Sequence, residues 1–251
     1  METKTKKVKK KRFNIARTLV FILLIYIIIC LGIYLYNEPI KHYEFIGNDT
    51  ITDIELIRDL KLENYPSLVS INTKKLERKL ENNIYIKSAK VRYGWNFKLR
   101  IEIEENLPMF IAKDLNKMVL ADGSIVDIDS RFIGIPILLN STPEEIMKNL
   151  ASSLEVVDYG IRYIISEIEY QPSYNSDGKV IDDKRFLLSM NDKNLVYITA
   201  KNATSLNKYL DIIATEQVTA AGTLFLDSDE DRYTFKFHKE ETTQEVVEDE
   251  E

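Results

Sequence analysis

One uninterrupted apolar run near the N-terminus dominates the hydrophobic pattern of this chain. Residues 18–36 (TLVFILLIYIIICLGIYLY) contain no charged side chain and show no polar face at the helical period of about 3.6 residues. At a rise of about 1.5 Å per residue the run forms a helix of about 28 Å, close to the roughly 30 Å hydrocarbon core of a bilayer. The pattern therefore predicts one transmembrane helix over residues 18–36.

Two alternatives fit this run less well. A cleaved signal peptide has a shorter apolar region, usually about 7–15 residues, before a small-x-small cleavage site, whereas bulky Tyr34 and Tyr36 stand here. A lipoprotein anchor needs small residues before the modified cysteine, but Ile28 and Ile29 precede Cys30, the single cysteine of the chain. The segment is therefore expected to stay attached as an anchor.

A β-hairpin is the clearest pattern after the apolar run. Apolar and charged residues alternate over residues 97–104 (FKLRIEIE) and over residues 89–93 (AKVRY), with Gly94, Trp95 and Asn96 between the two segments. A period of two predicts strands with one buried and one solvated face.

A strand and two short helices precede this hairpin. The strand at residues 43–46 ends at a Gly-Asn turn, Thr52 and Glu55 are spaced as a capping box, and Asn72 is placed to cap a second helix. The expected order is strand, helix, helix, strand, strand, with both helices on one face of the sheet. The predicted core consists of Ile54, Ile57, Leu76 and Leu80 packed against Phe97, Leu99, Ile101 and Ile103.

After Pro108 the pattern changes to many short apolar segments separated by turn residues. Asp122-Gly123 is a two-residue hairpin signal, and Thr142, Pro143 and Glu145 are placed to begin a helix as cap, first-turn proline and capping-box acid. The segments predict a larger mixed domain built on a mainly antiparallel sheet. Its predicted strands are residues 109–112, 118–121, 125–128, 137–139, 164–170, 186–190, 195–199, 223–226 and 233–237, and its helices carry Ile146, Leu150 and Leu154 or Leu206, Leu210 and Ile213 on one face.

Several of these segments resemble the FtsQ/DivIB family of bacterial cell-division proteins. Residues 43–48 (YEFIGN) are similar to the opening strand and turn of a POTRA domain, and residues 86–91 (IKSAKV) with Trp95 and Pro108 are similar to the hairpin signature of the family. The resemblance implies an α+β protein with a single N-terminal transmembrane helix, a POTRA domain (β-α-α-β-β) at residues 37–106 and a β domain at residues 107–238. Asn96 and Asn106 depart from the family, which often has proline and arginine there.

The charge distribution predicts the orientation of the transmembrane helix in the membrane. Eight Lys and Arg side chains precede the apolar run, and short flanks rich in these residues stay in the cytoplasm. Residues 1–17 are therefore expected to be a cytoplasmic tail, and the part after the helix to be extracytoplasmic. Residues 239–251 are acidic without an apolar period and are expected to be a disordered tail. The expected topology signal consists of Lys9, Lys10, Lys11, Arg12 and Arg17.

Few residues are available for catalysis. His42 and His238 lie far apart in sequence and the single cysteine lies in the apolar run, so no metal site is expected. No nucleophile elbow, P-loop or G-x-G-x-x-G segment occurs, and no cofactor, nucleic acid or small-molecule substrate is expected. Glu104 and Glu105 are a carboxylate pair, but neighbours in a strand point to opposite faces and cannot face each other across a sugar.

The lack of catalytic motifs favours a non-enzymatic protein, and the resemblance implies a scaffold of the division apparatus, located in the cell membrane at the septum. The resemblance implies partners of the FtsB/DivIC and FtsL type, which are single-span coiled-coil proteins, and an exposed strand edge offers backbone groups for strand addition. A membrane-anchored cell-wall hydrolase and a POTRA-type polypeptide-binding protein of a secretion or assembly system remain the alternatives. The predicted partner-binding residues are Leu224, Phe225, Leu226, Tyr233 and Phe235, of which alternate residues must be core.

Overall fold

The computed structural model describes residues 15–215, 220–228 and 233–238. These residues fall into two compact units, Met1–Glu105 and Asn106–Glu251. The predicted α+β class is confirmed: an N-terminal apolar helix is followed by a small sheet with helices and then by a larger, sheet-rich unit. The acidic segment 239–251 and the basic residues Lys9, Lys10, Lys11 and Arg12 lie outside the described residues.

The first helix, α1 (Ile15–Asn37), contains the whole predicted apolar run. Its span Ile15–Tyr34 is long and apolar enough to cross a membrane, and none of the apolar window is buried inside the protein. Arg17 lies exposed in its first turn, ahead of the apolar residues. The helix begins three residues before the predicted run, because nothing in the sequence Ile-Ala-Arg breaks a helix.

The first unit continues as a three-stranded sheet with two helices. Strand β3 is central: β1 runs parallel to it on one side and β2 antiparallel on the other. Because β3 has neighbours on both sides, its inward residues Leu99 and Ile101 are fully buried. The elements are β1 (His42–Ile46), α2 (Asp53–Leu60), a 3-10 turn (Leu68–Ser70), α3 (Thr73–Glu81), β2 (Ile86–Gly94) and β3 (Lys98–Glu105).

The helix caps of this unit follow the sequence, and its predicted core needs two corrections. Thr52 and Glu55 form the capping box of α2, and the Asn72 side chain accepts a hydrogen bond from the first turn of α3. Ile54 is exposed, because the face of α2 that meets the sheet carries Leu56 instead. Phe97 is only half-buried, because it lies in the turn before β3.

The second unit is built on one nine-stranded sheet in the order β14-β13-β12-β11-β8-β7-β4-β5-β6. Five of its eight neighbouring pairs in the described residues are antiparallel and three are parallel, so the sheet is mainly antiparallel. A separate two-stranded hairpin is formed by β9 (Ser173–Tyr174) and β10 (Val180–Asp182). The other strands are β4 (Pro108–Ala112), β5 (Lys117–Leu120), β6 (Ile125–Asp127), β7 (Ile137–Leu138), β8 (Ile165–Tyr170), β11 (Arg185–Met190), β12 (Leu195–Thr199), β13 (Gly222–Phe225) and β14 (Thr234–Phe237).

The helices of the second unit pack on one face of this sheet and form its core. They are α4 (Glu144–Glu155), α5 (Tyr159–Tyr163), a 3-10 helix (Ala200–Lys208) and α6 (Tyr209–Thr215). Buried Leu150 and Leu154 of α4 pack in the same cluster as Ile168, Leu188 and Val196 of the sheet. The opposite face of β11 to β13 carries half-buried side chains.

Two predicted helix details of this unit are wrong. Pro143, not Thr142, is the N-cap of α4, because the Thr142 hydroxyl donates to the Asn140 carbonyl instead of capping the helix. Leu210 is exposed, since the last helical segment begins as a 3-10 helix and its inward residues recur every three positions. Those residues are Ala203, Leu206, Tyr209 and Ile212.

Candidate partner-binding surface

The closing strands of the second unit form one edge of the nine-stranded sheet. β13 pairs in parallel with β12 on one side and antiparallel with β14 on the other. No described strand pairs with the outer side of β14. A sheet edge presents backbone N–H and C=O groups to any extended segment that can align with it.

The direction of the backbone groups at this edge follows from one hydrogen bond. The His238 amide donates to the Ala221 carbonyl at 3.0 Å, so this N–H points toward β13. Because amide directions alternate along an antiparallel strand, the Lys236 N–H also points toward β13. The Phe235 and Phe237 N–H groups therefore point toward the open edge.

The five predicted partner-binding residues divide between the core and the surface. Leu224 and Leu226 are buried in the main cluster, so their side chains are not accessible in the folded protein. Phe235 is partly buried and packs against the same cluster. Phe225 is half-buried on the opposite face of the sheet, and Tyr233 is exposed just before β14. The sequence pattern placed these residues on adjoining strands, but it could not say which face was covered.

An aromatic row crosses the uncovered face beside this edge. The Phe225 ring stacks on the Tyr197 ring at 5.2 Å between centroids. The Lys236 ammonium lies 5.1 Å from the Phe225 centroid, and the Arg185 guanidinium lies 3.8 Å from the Tyr197 centroid. Arg185 also contacts Asp227, with 2.7 Å between Nε and Oδ2. Cation–π contacts of this kind contribute about 0.5–1 kcal/mol each at exposed sites.

Phe237 lies at the same sheet edge, but on the face of Phe235 and not on the face of the Phe225 ring, and it was missed by the sequence reasoning. It is 55% exposed, and its ring meets the Phe235 ring edge-on at 5.1 Å. The period-two pattern of β14 places Phe235 and Phe237 on the same face, which was the signal available for finding it.

A buried polar network fixes the start of β13. The Asn194 side-chain oxygen accepts from the Gly222 amide at 2.9 Å, and its Nδ2 donates to the Tyr209 hydroxyl at 3.0 Å. The Tyr209 hydroxyl in turn donates to Asp192 at 2.6 Å. Burial, together with the hydrogen bond to Asp192, raises the pKa of Tyr209 well above its ordinary value. The network ties the Asn191–Asn194 turn and α6 to the strand that pairs with β14.

The described residues contain no group of three or more His, Cys, Asp or Glu side chains that could hold a metal ion. His238 Nε2 lies 2.9 Å from the Thr223 hydroxyl. Glu104 binds Lys87 and Ser88, whereas Glu105 binds the Thr50 and Ile51 amides. The two carboxylates are therefore engaged with different parts of the first unit and do not face a common cleft.

In the described residues, one apolar helix long enough to cross a membrane and the two units together define a class of protein: a chain with a candidate N-terminal membrane helix, a small β-α-α-β-β unit and a larger sheet unit. A family model described as "POTRA domain, FtsQ-type" matches residues 38–106. The chain is 28% identical over 239 residues to the cell division protein DivIB of Bacillus subtilis (strain 168), covering 90% of this chain and 88% of that protein. It is 27% identical over 172 residues to DivIB of Bacillus anthracis, covering 66% and 65%.

A solved structure is also similar to this chain. It is the major extracytoplasmic domain of DivIB from Geobacillus stearothermophilus, with 18% identity, a TM-score of 0.36, and coverage of 47% of this chain and 98% of that chain. The family resemblance predicted from the hairpin residues is confirmed by the family model and the DivIB relatives. This chain is similar to the FtsQ/DivIB cell-division proteins, and that similarity supports a role in cell division.

Proposed function

We propose that this protein is a bitopic scaffold of the bacterial division apparatus that acts without catalysis. It recruits or stabilises other membrane division proteins, of the FtsB/DivIC and FtsL type, at the septum through its extracytoplasmic domains. In this proposal residues 1–17 are a cytoplasmic tail, residues 37–106 the POTRA domain, residues 107–238 the partner-binding β domain and residues 239–251 an acidic tail. The similarity to DivIB over 90% of the chain supports this proposal.

The observation that carries the partner proposal is the open edge of β14. Two outward amides, those of Phe235 and Phe237, stand beside exposed aromatic rings at the end of the sheet. A partner strand can align there through backbone hydrogen bonds, while its side chains meet Phe237, Tyr233 and the aromatic row around Phe225.

The test compares two changes at one position. Phe237→Ala removes the ring and keeps the amide, whereas Phe237→Pro also removes the outward N–H without breaking a bond to β13. Strand addition predicts that the proline variant loses co-purification with the coiled-coil partner more completely than the alanine variant. Thermal unfolding should change little in either variant, because the position is exposed and at an edge.

Two controls make this test decisive. Lys236→Pro should remove an N–H that points toward β13, so it should lower the unfolding temperature as well as partner binding. Leu224→Ala should cost about 2–5 kcal/mol of stability as a buried large-to-small change. Unaltered co-purification of Phe237→Pro would refute strand addition at β14.

The cellular role and the topology need separate tests. Depletion of the protein should give filaments with unconstricted septa, whereas normal division with altered wall digestion would favour the hydrolase alternative. The proposed orientation rests on the basic residues before α1, with Arg17 at its first turn. Protease added outside intact spheroplasts should digest the part after α1 and spare an N-terminal tag.

A further inference from the structure

The only tryptophan of the chain is almost completely exposed. Trp95 lies in the turn between β2 and β3 with 95% of its surface accessible, and it is absent from the core of the first unit. A packed tryptophan side chain buries about 150–250 Å². Asn96 and Phe97 both have positive φ (59° and 55°), which holds the turn in a defined shape with Trp95 at its tip.

This turn lies at the end of the first unit where the chain arrives from α1. The Lys41 amide donates to the Phe97 carbonyl at 2.9 Å, and His42 pairs with Lys98 at the start of the parallel ladder. α1 ends at Asn37, four residues before Lys41. Four residues span at most about 14 Å, so the β2–β3 turn lies close to the end of the membrane helix.

Other exposed apolar and aromatic groups lie at the same end. Val69 is 59% exposed in the 3-10 turn that α1 contacts. Tyr93 is 53% exposed, its hydroxyl donates to the Ile71 carbonyl at 2.6 Å, and it lines one shallow groove with Val69 and Lys74.

The end of α1 itself has the same character. Tyr34 and Tyr36 are exposed in its last turns. Tryptophan and tyrosine are enriched at both membrane–water interfaces, and lysine is attracted to anionic headgroups. The exposed side chains of the first unit, Val69, Tyr93 and Trp95, therefore lie near the exposed tyrosines at the end of α1.

We propose that Trp95, together with Val69 and Tyr93, inserts into the headgroup region of the same bilayer that α1 spans. The first unit is then held against the membrane at a second point besides residues 38–41, which restricts its rotation about that short linker. This inference depends on the membrane anchor of the proposed function and not on the partner surface at β14.

The test uses the full chain reconstituted into vesicles of phosphatidylcholine and phosphatidylglycerol. Trp95 is the only tryptophan, so intrinsic fluorescence reports on it alone. Its emission should be shifted to shorter wavelength, shielded several-fold from aqueous acrylamide, and quenched by lipids spin-labelled near the headgroup. Flotation of the vesicles checks separately that the chain is anchored.

A matched control moves the tryptophan to the other end of the same unit. Ile54 is 68% exposed, and it follows the Thr50–Ile51 segment that Glu105 binds at the far end of β3. That end lies about 23 Å along the strand from Lys98. The double variant Trp95→Phe, Ile54→Trp should remain open to acrylamide and insensitive to spin-labelled lipid.

Each outcome separates this inference from the proposed function. If the protein floats with the vesicles but Trp95 and the Ile54→Trp reporter are quenched to the same extent, headgroup insertion is wrong. The membrane anchor would then still be supported. A protein that does not float would overturn both. A Trp95 shift that appears only when a partner protein is added would assign the turn to a protein surface instead, against the inference.

Discussion

The carboxylate of Glu105 accepts a hydrogen bond from the backbone amide of Ile51, 54 residues earlier, at 2.9 Å. The Thr50 amide donates to it at 3.0 Å and the Thr50 hydroxyl at 2.6 Å. One side chain at the end of the central strand thereby holds the loop between β1 and α2. This loop ends at Thr52, the N-cap of α2, so Glu105 links the sheet to α2.

Glu105→Ala should destabilise the first unit by about 1.5–3 kcal/mol, the usual contribution of hydrogen bonds to a charged group. Its neighbour provides the control, because exposed Glu104 pairs with Lys87 at 3.1 Å and Glu104→Ala should cost at most about 1 kcal/mol. Urea unfolding of the full chain in detergent, with the transitions of the two units followed separately, measures both. Equal losses for the two variants would contradict this role of Glu105.

Tyr43 makes the stability of the first unit depend on pH in the alkaline range. Its hydroxyl donates to the Leu62 carbonyl at 2.7 Å, and burial together with the nearby Tyr65 raises the pKa of Tyr43 to about 12. The unfolded value is about 10. Since the folded state holds the proton more tightly, this contribution to stability is complete below about pH 10 and is lost as the pH rises toward about 12.

Tyr43→Phe should therefore cost about 0.5–1.5 kcal/mol at neutral pH, where the hydrogen bond to Leu62 is lost. The difference in unfolding free energy between the wild type and the variant should shrink as the pH rises from about 10 to about 12. Urea unfolding of both proteins across this range is the measurement. A constant difference would show that Tyr43 does not ionise with the expected shift.

Local patterns predicted much of both sheets, because strand period and turn chemistry are properties of neighbouring residues. The predicted strand at residues 195–199 has the bounds of β12, and the Asp122-Gly123 turn joins β5 to β6 with φ of 82° at Gly123. The central place of β3 was not predictable in this way. Parallel and antiparallel strands share the same period, so only the tertiary structure shows that β1 joins β3 in parallel.

The surface residues were less predictable than the strands, since accessibility depends on which face the helices cover. Leu224 and Phe225 differ by one position, yet one is core and the other is on the uncovered face. The departures from the family also have local causes. Asn96 has a positive φ that proline cannot adopt, and buried Asn106 accepts a hydrogen bond from the Asp122 amide at 3.1 Å.

Gly222 is required where β13 meets β14. A Cβ added there would lie 2.6 Å from the Lys236 carbonyl oxygen and would also collide with the Phe235 ring. Gly222→Ala should therefore push β14 away and cost about 1–3 kcal/mol as an overpacked site. Gly160→Ala in α5 meets nothing within 4 Å and should be neutral or stabilising by about 0.5–1 kcal/mol. Chemical unfolding of both variants is the measurement, and loss of partner co-purification should accompany only Gly222→Ala.

The Asn194–Tyr209 pair tests whether the buried network supports the closing strands. Tyr209→Phe leaves the Asn194 Nδ2 and Asp192 without their shared partner and should cost about 1–3 kcal/mol. Asn194→Ala removes the acceptor of the buried Gly222 amide and should cost at least as much. Because both changes break one network, the double variant should lose less than the sum, with a coupling of about 0.5–3 kcal/mol.

The control for this cycle is Tyr197→Phe, which removes a hydroxyl that contacts Gln171 at 3.2 Å on the uncovered face and should cost clearly less than Tyr209→Phe. Additive losses of Asn194→Ala and Tyr209→Phe would mean that the two groups act independently. Co-purification adds a second readout: Asn194→Ala should weaken partner binding, because it releases the start of β13 and with it the register of β14. Full binding by a folded Asn194→Ala protein would separate the network from the partner surface.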